Sequence, residues 1–328
     1  MNATISKKNS PAYKDRIPTL IMTIMASVAL IIICFIFVFI LLKAWPTLKV
    51  SGIQILLKSG FDLQVSDAFY ATEDMAPISF GMLGLIYGTL ASTGLALLLA
   101  TVVAVGASVA IVEWTQGWLK TACIQLVRLL AAMPSVIFGL VGLMVVVPWL
   151  EKNLITVDTQ IAFLEYFQMT GRNLLASTLV LGFMIVPTIV SLSVDALQAV
   201  PRAYREAGFS FGMSHGRVIY KILIPTAKRG IMSGILLGAG RGLGEAIAVS
   251  MVCGGIGIMP SAKLGLYNLL APVLPLSAAI VNKSEAMGAG QVESALFTAA
   301  FLLLVFGVVT SLAARWIDQR GSVGAKRV

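Results

Sequence analysis

Between Met75 and Val112 the chain runs for 38 residues without a charged side chain, and further charge-free apolar runs cover Ile17 to Leu42, Leu129 to Leu150, Asn173 to Val194 and Ser294 to Ala314. A sixth run occupies Ile231 to Gly240 and resumes after Glu245. Runs of this kind leave few folds open. About 20 apolar residues cross the roughly 30 Å hydrocarbon core of a bilayer as a helix. Only helices and closed barrels satisfy their own backbone hydrogen bonds there. The runs show no alternation with period two, so they are read as helices. Composition agrees: 12% of residues are charged, against about 25% in soluble domains. The expected fold is an all-α polytopic membrane protein with six transmembrane helices, at about 17–42, 85–112, 125–150, 173–194, 230–251 and 293–315.

The 38-residue run would be about 57 Å long as one helix, too long for a single crossing. Its first ten residues, with Pro77, Gly81 and Gly84, are therefore placed at the interface. Leu264 to Asn282 is apolar enough for a seventh span, but Pro272 and Pro275 interrupt it. Charge decides the count. With six spans and both termini on one side, that side holds 15 Lys and Arg and the other holds 6. The basic side is the cytoplasmic one by the positive-inside rule. This predicts cytoplasmic tails at 1–16 and 319–328 around a transmembrane domain at 17–318. The basic segments that adjoin the spans meet anionic lipid headgroups, and nothing in the chain points to nucleic acid.

A polar segment from Asp195 to Gly230 lies between the fourth and fifth spans and carries Arg202, Arg205, Arg217, Lys221, Lys228 and Arg229. It is expected to serve as a cytoplasmic docking surface for a soluble partner. Following it, Gly230, Gly234, Gly238 and Gly242 recur every fourth residue and so share one helical face. Small residues at that spacing let helix backbones approach closely in lipid, within one subunit or between two. Arg241 and Glu245 stand beside this stripe, one turn apart. A charge at midspan is costly, so such residues face a polar cavity and pair with each other. The guanidinium fork suits a tetrahedral oxyanion, with the carboxylate as its alternative partner.

Other residue types point to ordinary roles. Cys34, Cys123 and Cys253 show no disulfide or metal-ligand spacing, and His215 reads as a solvated loop residue. No phosphate-binding loop, HExxH or GxSxG pattern is present, so no catalytic or metal site is expected and energy must come from elsewhere. Pro134 and Pro187 remove backbone donors within spans, and Arg128 is placed to reach the inner headgroups.

The run Glu206, Ala207, Gly212, Ile222 and Pro225 resembles the EAA loop of ATP-binding cassette importer permeases, with Gly208 and Ile224 as departures from its alanine and leucine. Residues 86–90, 117–120, 130–139 and 240–245, in that order, resemble the C-type subunit family of phosphate-specific transport permeases. Gly242 and Gly254-Gly255 depart from the usual residues of that family.

The resemblance covers roughly residues 80–318. It implies a type I importer permease architecture with a cytoplasmic coupling loop at 199–228. The implied partners are a second related permease in a heterodimer, two cytoplasmic ATPases that carry ATP and magnesium, and a periplasmic or extracellular phosphate-binding protein. This chain would bind no cofactor of its own and would reside in a bacterial inner membrane. The resemblance also implies that Arg241 and Glu245 serve translocation. Transport of another oxyanion, an ATP-independent secondary carrier and a non-transporting membrane scaffold remain the alternative readings.

Overall fold

The computed structural model describes residues 13–70, 77–257, 259, 261–288 and 290–323. Among them six helices are long and apolar enough to cross a membrane, at Pro18–Ser51, Leu83–Glu113, Ser135–Leu154, Leu174–Gln198, His215–Gly244 and Gly290–Ala313. The chain is thus an all-α polytopic membrane protein. Of the expected tails, residues 1–12 and 324–328 lie outside the described residues.

The first helix, α1 (Tyr13–Ser51), leads to the short α2 (Gln54–Leu57) and α3 (Phe61–Tyr70). Residues 77–82 are not helical. They are tied to the end of α1 and to α2 by bonds from Phe80 N to Ser51 Oγ (2.9 Å) and from Met82 N to Ile55 O (2.8 Å). The second span, α4 (Leu83–Glu113), packs along α9 (Leu174–Gln198). Ala96, Ala100 and Ala104, fully buried on α4, make that contact close. The outermost pair, α1 and α15 (Gly290–Val323), is joined by polar bonds. Thr47 Oγ1 meets Ser294 Oγ at 2.9 Å, and Thr298 Oγ1 donates to Ala44 O at 3.3 Å. Much of α1 presents Leu, Ile and Phe side chains outward, as a lipid-facing helix does.

Two spans differ from the expected ones. The third was expected at 125–150, but α5 (Gly117–Ala132) ends before Met133, whose ψ is 140°, and Pro134 caps a new helix. The span is formed by α6 (Ser135–Val141), one π-helical turn and α7 (Val147–Leu154), after which α8 (Val157–Phe163) leads towards α9. The fifth was expected at 230–251. It begins earlier, in α11 (His215–Val218), passes a π-helical turn into α12 (Ile224–Gly244), and stops where Glu245 turns extended. The next helix, α13 (Ile247–Val252), is separate.

Much of segment 251–292 folds back onto the bundle instead of forming an external loop. The helix α14 (Leu276–Asn282) packs against α4, α13 and α15, with Leu276, Ala278 and Ala279 fully buried. Its first N–H, on Leu276, donates to Thr89 Oγ1 at 2.8 Å. Pro275 caps it, so the prolines that argued against a seventh span mark the start of a short buried helix.

Candidate functional site

The polar segment builds one end of the molecule. Its first half is the helix α10 (Arg202–Ser210), preceded by Pro201, which cannot extend α9. Gly212 then takes φ +73°, a left-handed conformation that costs other L-residues energy, and the chain reverses into α11. Gly208 is buried where an added Cβ would lie 2.7 Å from Ile222 Cδ1. An alanine there would require the Ile222 side chain to shift. Ile222 is half-buried, and Pro225 follows the π-helical turn of residues 219–223, an irregularity that accommodates its missing N–H. Glu206 and Ala207 face outward.

Around them stand exposed aromatic side chains that the sequence reading passed over. Phe211 is 84% exposed and Tyr220 76%, and Tyr204 and Phe209 are also open. Aromatic residues in such a setting are typical anchors of protein interfaces. Their pattern has no periodicity, because they come from a turn and from separate helices.

The same end holds an ion-pair cluster. Glu113, the last residue of α4, lies 3.1 Å from Arg205 Nη2 and 3.1 Å from His215 Nε2. His215 is exposed, as expected, and also has a partner in Glu113. Arg128 pairs with Asp195 at 3.0 Å instead of only reaching for headgroups.

At the far end of α12, Arg241 and Glu245 do not form the pair that their spacing suggested. The helix ends between them. Arg241 Nη1 donates to Ala131 O at 3.0 Å and to Thr188 Oγ1 at 2.9 Å. Glu245 Oε1 accepts from Ala248 N at 3.1 Å, at the start of α13, and its backbone carbonyl accepts from Ser277 Oγ at 2.7 Å. The break at Pro134 leaves the Ala131 carbonyl near the end of α5, where it can receive the guanidinium. Among the described residues, no carboxylate forms an ion pair with Arg241. A half-buried cation held by neutral acceptors can attract an anion without first breaking a salt bridge.

The glycine stripe packs within the chain. A Cβ on Gly238 would lie 2.8 Å from Ile185 Cγ2, and one on Gly242 would lie 2.9 Å from Ile185 Cδ1. Gly230 meets Ala196 and Gly234 meets Leu192, so all four abut α9. Gly240 and Gly244 have open space beside them.

The model of the binding-protein-dependent transport system inner membrane component family matches residues 102–323. The probable ABC transporter permease protein YqgH of Bacillus subtilis is 30% identical over 284 residues, which is 84% of each chain. The phosphate transport system permease protein PstC 1 of Mycobacterium tuberculosis is 34% identical over 254 residues, 74% of this chain and 73% of the relative. A bacterial alginate ABC transporter solved with an alginate pentasaccharide-bound periplasmic protein aligns with TM-score 0.53 at 17% identity, over 95% of this chain and 98% of that one, a likeness of fold. With this fold, this relay of helices and these relatives, the chain belongs to the family of binding-protein-dependent transport system inner membrane components, the permeases of ABC importers, and is similar to those of the PstC type.

Proposed function

We propose that the chain is the permease subunit of an ATP-driven importer of inorganic phosphate. The observation that carries the substrate class is Arg241, a guanidinium at a helix break whose hydrogen-bond partners are a carbonyl and a hydroxyl. Phosphate is the substrate of the PstC relatives by name. A loaded phosphate-binding protein delivers the anion to the face that bears α14, and Arg241 receives it within the bundle. The chain itself catalyses no reaction.

Energy enters at α10. Two cytoplasmic ATPases, which bind ATP and magnesium, engage Glu206, Ala207 and the exposed Phe211 and Tyr220. Their closure moves α10 and the helix that runs from His215 to Gly244. A second, related permease completes the pathway in a heterodimer, and the open side of Gly240 and Gly244 supports a neighbour or a water-filled path there. In this arrangement α10 and both termini are cytoplasmic, in a bacterial inner membrane, as the basic residues support.

The test is uptake of labelled phosphate by cells that lack any other phosphate importer and express this chain with its partner subunits. Uptake should stop when ATP is depleted, require the binding protein, and be competed by arsenate more strongly than by sulfate or molybdate. Uptake that persists without ATP while the ion gradient is intact would indicate a secondary carrier. Stronger competition by sulfate or molybdate would assign another oxyanion.

A further inference from the structure

We propose that Glu113 is the positioning residue that fastens the coupling helix α10 to the transmembrane bundle, so that displacement of α10 reaches the Arg241 site; this rests on the permease reading above. The carboxylate is 10% exposed and uses both oxygens, Oε1 towards Arg205 on α10 and Oε2 towards His215 on α11, each at 3.1 Å. Arg205 also donates from Nη2 to Leu197 O at 3.4 Å, in the last turn of α9. One small cluster thereby joins the end of α4, the end of α9, the coupling helix and the start of the long fifth helix.

The stability of α4 does not account for a glutamate at this place. A helix C-terminus carries partial negative charge, and a carboxylate there is unfavourable unless cations compensate it. Arg205 supplies the compensating charge, and His215, 102 residues away in sequence, adds a ring-nitrogen contact to the other oxygen. Glu113 is the most enclosed member of the cluster, so its loss would remove the contacts of both Arg205 and His215 at once.

From this anchor two rigid paths lead to Arg241. One is α9, which packs closely on α4 and carries Thr188, the acceptor of the Arg241 guanidinium. The other is the helix from His215 to Gly244, which bears Arg241 itself. Motion of α10 that pulls on Arg205 therefore displaces the helices that carry Arg241 and its acceptor. Coupling of this kind needs a physical element whose position both sites bias.

The experiment uses the assembled complex of this chain with its partner permease, ATPases and binding protein in proteoliposomes, and reads phosphate imported per ATP hydrolysed. Glu113→Gln should lower that ratio by about five- to tenfold, the scale of a typical coupling interaction, with the ATPases still bound. The exchanged pair Glu113→Arg with Arg205→Glu should recover at least about half of the wild-type ratio, since the Coulomb attraction is restored. A readout independent of transport is hydrogen exchange of residues 202–210 in the permease without ATPases, which should quicken in Glu113→Gln and slow again in the exchanged pair.

An unchanged ratio and unchanged exchange in Glu113→Gln would overturn the proposal. So would a lowered ratio that the exchanged pair fails to recover, or failure of both Glu113→Asp and the exchanged pair to accumulate, which would make the carboxylate a folding element only. Absence of ATP-driven uptake by the wild-type complex would instead overturn the permease reading, and the exchange measurement would still judge the anchor.

Discussion

The side chains of Arg241 and Glu245 bond away from each other, Arg241 to Ala131 and Thr188 and Glu245 to the N–H of Ala248. Arg241 and Glu245 are legible as costly charges in an apolar run, though Arg241 stands in the last turn of the span His215–Gly244 and not at its middle; their four-residue spacing suggested an ion pair because it assumed an unbroken helix. The break follows Gly244, and its extended Glu245 bonds forward to α13 instead. Arg241 consequently depends on Ala131, whose carbonyl is near a helix end that Pro134 helps to create. Replacing Pro134 with Ala restores a backbone donor, and a healed helix would compete for that acceptor. The expected outcome is slower phosphate uptake at unchanged expression, read in transport assays. Glu113 was invisible in the sequence, because a lone glutamate at the end of an apolar run looks like an ordinary boundary.

At the scale of elements, the glycine stripe was legible as a packing face, and its spacing left two neighbours open. The structure selects α9. Gly238→Val should therefore lower the stability of the isolated permease by about 1–3 kcal/mol through overpacking, while Gly240→Ala, inside the helix with open space beside it, should raise it by about 0.5–1 kcal/mol. Thermal unfolding in detergent distinguishes the two. Equal losses would place both glycines against neighbours.

The helix α10 was legible through its motif, whereas the exposed Tyr204, Phe209, Phe211 and Tyr220 were not, since no periodicity marks them in the sequence. Phe211→Ala should reduce ATPase co-purification by about tenfold, as loss of an interface anchor does. It should leave permease stability unaltered. Gly212→Val should destabilise the turn by about 1–2 kcal/mol because of its left-handed backbone, again measurable by thermal unfolding.

At the scale of the whole molecule, six apolar runs correspond to six candidate spans because hydrophobic length is local information. The fold-back of segment 251–292 was not legible. Its apolar stretch is interrupted by Pro272 and Pro275 and was read as an outer loop, whereas bonds such as those from Leu276 to Thr89 and from Ser277 to Glu245 seat it on the bundle. It lies beside the helix break that follows Arg241, so the inferred delivery face and the proposed anion site adjoin. The coupling end stands at the opposite end of α12. That separation requires a mechanical connection, and the helix from His215 to Gly244 provides a continuous one.

The most direct test of an anion path driven from the coupling end is labelled phosphate accumulation in proteoliposomes that contain the full complex, with ATP on the side of α10. The wild-type complex should accumulate phosphate, and Arg241→Gln should accumulate none while still assembling and hydrolysing ATP. Accumulation by Arg241→Gln at the wild-type rate would contradict the account.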